Sequence, residues 1–442
     1  MIIKDIIVSI GYFVIIIIVA NLIKKHFIKE KLKKHFIYGL YLKLLGAIFT
    51  YIIYFFYYGT GDTVYYFKRS EYIKFILSNN FNLGLKLLFK NPQVYDPETY
   101  GIFIGLRAFD ASSYIVVKIV TIFNLFCFGS YPAIALCFAS LSFFGIWKLF
   151  NVIYETYPEH IKVLSISFLY LPSLIFWGSG IFKDTITMGF LSLLVSYFIQ
   201  FIFFKKITIR GIFFCFISVY IIGVIKSYII IAIIPALMFL LFLSLRNKIS
   251  NSIIKNLSTP IFIIAIISIS LISLNILSSV FTKFNINNLE DRASDMQRWH
   301  TYKVEVLQGG DGSAYSLGQI DYTPIGIIKK IPLAINVALF RPYLWEVSNP
   351  LMLLSSFESL FFLIQTLFFL YYAVRSLGKL FNILNNNSII VFMMLFSLIF
   401  AFAVGFTSYN FGALSRYRIP LLPFYISSIM ILTEKLKSLK QK

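Results

Sequence analysis

Apolar runs of 18 or more residues recur along the whole chain, and short basic or polar segments separate them. Runs of that length match the roughly 20 residues a helix needs to cross a bilayer. The first, Ile6 to Ile23, ends in Lys24 and Lys25 and lacks a small-residue cleavage site, so it predicts a retained helix rather than a signal peptide. Further apolar runs lie at 36–57, 114–129, 132–153, 163–179, 184–204, 211–225, 227–245, 256–280, 351–374, 388–407 and 419–433. The pattern predicts an all-α integral membrane protein, a polytopic bundle of roughly 10–13 transmembrane helices. No linker interrupts it, so 1–442 is expected to form a single transmembrane domain.

Basic residues orient the runs. KKHFIKEKLKK from Lys24, KKITIR from Lys205, RNK from Arg246, RSLGK from Arg375 and KLKSLKQK from Lys435 mark the cytoplasmic side. Hanging the helices from these segments places the remaining polar loops on the extracytoplasmic face. They include a first loop over 59–113 and a large loop over 282–330. Three apolar runs between two outer points make an odd number of crossings, so one must not cross, and 114–129, the shortest and bearing Lys118, is the one assigned to the interface. The stretch from Arg341 to Glu346 is read the same way. Within the first loop, Tyr72, Phe75, Ile76, Leu83, Leu87 and Leu88 recur at near-helical spacing among lysines and asparagines, the pattern of amphipathic interfacial helices.

Composition agrees with the pattern. The 442 residues are 59% hydrophobic and only 13% charged, against about half and a quarter in soluble domains. A net charge of +21 raises nucleic acid as a partner. However, the basic residues sit at helix ends rather than in one patch with interleaved aromatics, so they read as topology signals and contacts to anionic membrane lipids. Cys127, Cys137 and Cys215 fall in apolar runs without metal or redox spacing and read as small buried hydrophobes. His300 has no spaced partner, so no metal site and no Ser/His/Asp triad is expected; glycine motifs for ATP or dinucleotides are also missing.

Charges beside membrane spans cost a few kcal/mol on insertion scales and therefore tend to mark function. The candidates are Asp62, Glu98, Arg107, Asp110, Lys183, Asp184, Lys226, Arg341, Glu346, Arg416 and Arg418. Asp62 ends Gly-Thr-Gly-Asp after an apolar run, where glycines permit a sharp turn. Its carboxylate could deprotonate an acceptor hydroxyl or hold a divalent cation, or simply cap a turn. Lys183 and Asp184 either cap the following helix or hold an anion and orient an acceptor. Arg416 and Arg418 precede a helix whose Pro420 suits a first turn; their guanidinium forks suit a phosphate clamp or anchoring to lipid headgroups. Trp345, between Arg341 and Glu346, suits an aromatic belt or a platform for a sugar ring. The loop 282–330, with EDRASDMQRWHTY and a glycine-rich tail, has the composition of a lid.

Taken in order, GTGDTVYYF, DPETY, LPSLIFWGSGIFKDTITMGFLSLL and RYRIPLLPF resemble polytopic GT-C-type glycosyltransferases of bacterial cell envelopes. They are also similar to exopolysaccharide and O-antigen polymerases of the EpsG or Wzy type. The resemblance covers roughly 40–205 and 400–430. It implies a GT-C-like fold in the bacterial cytoplasmic (inner) membrane with its active face extracytoplasmic, and a polyprenyl-phosphate-linked sugar as donor. The acceptor it implies is an envelope glycan, lipid or protein. It maps the catalytic acids onto Asp62 and Asp184 and the terminal arginine-proline pattern onto Arg416, Arg418 and Pro420. Lys183, Arg416, Arg418, Lys226, Arg341, Trp345, Glu346, Glu98 and Arg107 are the expected substrate-binding residues. The FKD step departs from the arginine-glutamine pair more usual in EpsG-like polymerases, which favours the transferase. A polymerase joining lipid-linked repeat units is the alternative. A flippase, the third reading, predicts inverted halves and midplane charges, and neither is evident.

Overall fold

A computed structural model of the chain describes residues 2–246, 248–249, 313–318, 320–321 and 323–438, and every statement below concerns these. Elements are numbered over the described helices only. They are α1 (Ile2–Phe27), α2 (Lys33–Tyr51), α3 (Asp62–Asn79), α4 (Phe81–Phe89), α5 (Tyr100–Gly105) and α6 (Ala111–Phe126). Then come α7 (Tyr131–Thr156), α8 (Ile161–Ser165), α9 (Pro172–Phe176), α10 (Lys183–Phe203) and α11 (Ile209–Arg246). The last are α12 (Pro324–Phe340), α13 (Pro350–Val374), α14 (Leu377–Asn386), α15 (Ser388–Thr407), α16 (Phe411–Tyr417) and α17 (Leu422–Ser438). Seven helices are long and apolar enough to cross a membrane, or eight if the pair α16–α17, bent by 71°, is counted as one. The protein is an all-helical, multi-pass membrane protein. The expected span at 256–280, most of the loop 282–330, and His300 lie outside the described residues.

The chain groups into two compact units, one of Met1–Asn151, Leu174–Leu194 and Phe216–Lys226, the other of Val152–Ser173, Val195–Cys215 and Ser227–Lys442. The chain changes unit inside α7, α9 and α10 and twice inside α11, at positions where composition gives no sign of a boundary.

In the first unit, Phe36 of α2 packs on Phe143 and Trp147 of α7, with ring centroids 5.4 and 4.9 Å away. Contact between α7 and α10 depends on glycine. A Cβ at Gly145 would fall 2.3 Å from the carbonyl oxygen of Gly189, so the missing side chain lets the two backbones meet as small residues do in membrane bundles. The apolar run 163–179, read above as one span, is broken instead. It forms α8, a π turn over Ile166–Tyr170, a kink at Leu171–Pro172 and the short α9. Proline lacks the N–H that would continue the ladder. Beyond the break, carbonyls in and after the short α9 accept from the buried Lys43, whose Nζ lies 2.9 Å from Leu174 O and 2.7 Å from Gly178 O. The neighbouring run becomes α6, at 16 residues short of a full span.

The first loop is helical, as its pattern predicts, but its faces differ in detail. Tyr66, Phe67, Ile73, Ile76 and Leu77 of α3 are buried while Tyr72 and Phe75 are exposed. Asn80 ends α3 and caps α4, its side chain accepting from Leu83 N at 3.1 Å.

In the second unit α17 packs against α13, α15 and the π turn, with the rings of Phe168 and Phe424 6.0 Å apart. A Cβ at Gly405 of α15 would fall 2.0 Å from the Ala334 carbonyl oxygen of α12, a second close backbone approach. His160 lies 2.5 Å through Nδ1 from Glu434 Oε2, tying the start of α8 to the end of α17.

Candidate functional site

The Gly-Thr-Gly-Asp turn leaves α2 through a π turn and opens α3. Gly59 and Gly61 have φ of +63° and +119°, left-handed values that side-chain-bearing residues rarely adopt. Gly61 also lies against the ring of Tyr54, 2.9 Å from where its Cβ would be. Tyr54 in turn packs on Phe182, ring centroids 5.3 Å apart, next to Lys183. The Thr63 and Tyr131 hydroxyls, both buried, hydrogen-bond each other and pin the first turn of α3. Asp62 is therefore held exposed at a helix start, one ring away from the FKD segment.

A second turn supplies the facing charges. After α5 the chain closes a Schellman motif, with Ala108 N donating to Phe103 O and Arg107 N to Ile104 O, both at 2.9 Å. Glycine usually occupies the left-handed position of this motif. Arg107 occupies it here, at φ +48°, a strained choice for a residue with a Cβ. Asp110 follows, accepting from Ser112 Oγ at 2.9 Å and Ser113 Oγ at 2.6 Å. Lys183 donates to Ser112 Oγ at 2.9 Å and lies 3.9 Å from Asp110 Oδ2. Tyr65 stands among these groups. Burial raises its phenol above the usual value, Arg69 and Arg107 oppose that, and Asp110 and Asp62 reinforce it. Asp62, Arg107, Asp110 and Lys183 thus share one electrostatic neighbourhood in the first unit.

Asp184 has a different partner. Its carboxylate accepts from Lys226 Nζ, and the two side chains are 1% and 5% exposed. Lys226 has φ −147° and ψ 70°, which breaks the helical path of α11. The two charges form a buried ion pair between α10 and α11. Glu98 is elsewhere on the surface of the first loop, in an exposed pair with Lys86 at 2.6 Å.

The remaining candidates lie in the second unit and form a framework of their own. Arg418 is completely buried. It donates to Arg341 O at 3.0 Å, Ala338 O at 3.3 Å and Ser359 Oγ at 2.9 Å, and reaches Glu358 Oε2 at 3.5 Å. Glu358 also accepts from Ser173 N, at 3.0 Å, and from the Ser173 hydroxyl. Those partners tie Arg418 to the end of α12, to Arg341 and to α13. Arg341 forks onto Glu346, with Nε 2.9 and 3.0 Å from its two oxygens. Trp345 stacks on Tyr343 and is 82% exposed. Arg416 is half-buried on α16.

Among the described residues no group of three His, Cys, Asp or Glu side chains converges as a metal site. The sulfurs of Cys127 and Cys137 are 4.0 Å apart and both thiols are free. Sequence reasoning missed Lys43, Glu358, Tyr65 and Arg69. A lone charge within an apolar run was the available signal for Lys43 and Glu358; Tyr65 and Arg69 carried only their helical spacing. No family model, no curated protein and no solved structure matches the chain.

Proposed function

We propose that the protein is a glycosyltransferase of the bacterial cytoplasmic membrane. It transfers a sugar from a polyprenyl-phosphate-linked donor to an envelope glycan, lipid or protein acceptor on the extracytoplasmic face. The observation that supports this best is the grouping of Asp62, Arg107, Asp110 and Lys183 around Tyr65. Asp62 at its glycine turn, Arg107 and Asp110 all act on Tyr65, and Lys183 lies against Asp110.

In this reading Asp62 takes the proton of the acceptor hydroxyl as its oxygen bonds to the anomeric carbon of the donor. The bond from that carbon to the phosphate oxygen breaks, and the lipid phosphate leaves with the electron pair. Positioned proton transfer is worth about 100- to 10,000-fold. Lys183 and Arg107 stabilise the departing phosphate, charge held where it develops being a large catalytic contribution. Asp110 and Ser112 orient Lys183, and the Asp184–Lys226 pair positions the start of α10 beneath it. The greasy tail of the donor stays in lipid throughout.

The test is sugar transfer by the purified protein in lipid nanodiscs, from a polyprenyl-phosphate monosaccharide. Wild type should release polyprenyl phosphate, and Asp62→Asn should not while remaining folded. Equal activity in the two rejects the reading. Products of repeat-unit length formed only from lipid-linked oligosaccharide would assign a polymerase instead.

A further inference from the structure

Beside the charged grouping, and sharing only Tyr65 with it, a cavity of about 600 Å³ opens between α3 and α5. That size lies within the range of small-ligand pockets. One wall is a stripe of α3: Tyr65, Lys68, Arg69 and Tyr72, spaced i, i+3, i+4 and i+7 on one helix face. The other wall carries Gly101 and Gly105, again one turn apart. At neither glycine would a Cβ meet any atom within 4 Å. Glycine in a helix costs about 1 kcal/mol relative to alanine, and two of them in the six residues of α5 leave the space open.

The wall chemistry selects a ligand. It contains two cations and no carboxylate, and neither Lys68 nor Arg69 is in an ion pair among the described residues. The Arg69 guanidinium lies 3.2 Å from the Tyr65 ring centroid, and its Nε is buried without a hydrogen-bond partner. Tyr72 is 49% exposed, offering a flat face. Cations beside an aromatic face suit a ring that carries an oxyanion.

We propose that this cavity is the acceptor subsite and that it takes a glycan whose sugar ring bears a carboxylate or phosphate group. The acceptor role rests on the transferase reading above; the preference for an acidic sugar rests on the cavity alone. Tyr65 lines the cavity and is also the group on which Asp62 and Arg107 act, so a glycan seated here extends toward that grouping in this proposal.

Binding of a fluorescent glucuronate-containing disaccharide to the full-length protein in zwitterionic nanodiscs tests it, with the neutral glucose disaccharide as comparison. Wild type should bind the acidic sugar at least about tenfold more tightly, the worth of one charge-assisted hydrogen bond. Lys68→Ala with Arg69→Ala should abolish that preference. Gly105→Leu should block both sugars, and because its side chain enters open space its helicity and elution volume should stay those of wild type. Equal binding of the two sugars, or unchanged binding in both cavity variants, overturns the proposal. So does displacement of the acidic sugar by inorganic phosphate or anionic lipid at matching concentrations, which would mark a headgroup site. Selective binding without any sugar transfer by wild type would leave the acidic-glycan site standing and remove the transferase. Transfer that ignores the cavity variants would do the reverse.

Discussion

Asp184 and Lys226 offer the sharpest separation between a structural and a catalytic role. Their side chains are 1% and 5% exposed and bonded to each other. Removing one partner strands a charge in a low-dielectric interior, which costs about 3–5 kcal/mol, whereas replacing both is close to neutral. Asp184→Asn or Lys226→Met alone should therefore shift the folding equilibrium by about 150- to 5,000-fold at 1.36 kcal/mol per decade. The double variant should recover most of that loss, so the coupling, the two single losses added and the double's subtracted, should be about 6–10 kcal/mol, above the usual 0.5–3 for neighbours in contact. The assay is unfolding by SDS titration in mixed micelles for the four proteins of the cycle, with sugar transfer measured on each. The exposed pair Lys86–Glu98 is the control, since solvent-exposed pairs commonly contribute nothing measurable. Two additive single losses would refute the pairing, and so would a stable Asp184→Asn protein without activity, which would return Asp184 to the chemistry.

Other outcomes follow from single contacts. Arg107→Gly should keep or slightly raise stability, because about 1 kcal/mol of left-handed strain is relieved against about 0.5–1 kcal/mol of glycine entropy. Its transfer rate should still drop by about 100-fold if the guanidinium stabilises the leaving phosphate; wild-type turnover would remove Arg107 from the site. Lys43→Met leaves the Leu174 and Gly178 carbonyls without their donor and should destabilise by about 1–3 kcal/mol, read in the same SDS titration. Gly145→Ala sets a Cβ 2.3 Å from the Gly189 oxygen and should cost about 1–3 kcal/mol by overpacking; an unchanged midpoint would show that α7 and α10 separate freely.

Much of the architecture is legible in the chain because the bilayer is an unforgiving solvent. Every backbone group must be bonded within its segment, so long apolar runs can only be helices, and α1, α2, α7, α10, α13 and α15 lie where those runs do. The glycines before Asp62 likewise announce their turn, since left-handed backbone favours them. Local cues stop where a carbonyl finds a distant donor. The run 163–179 is mostly apolar and bends at Pro172, and beyond the bend the Leu174 carbonyl accepts from Lys43, 131 residues earlier.

The charges divide in the same way. Insertion cost alone singled out Asp184, Lys226 and Arg418 as groups that must be explained, because an ion in an apolar run is expensive wherever it ends up. Their partners were beyond reach of any local pattern. Asp184 meets Lys226 across 42 positions and Arg418 meets Glu358 across 60, while Lys183, one residue from Asp184, joins Asp110 and Ser112 instead. Hydropathy is a property of each segment by itself and can be read along the chain. Pairing is a property of which helices touch and at what rotation, and only packing in three dimensions decides which carboxylate is buried against a partner and which stays exposed.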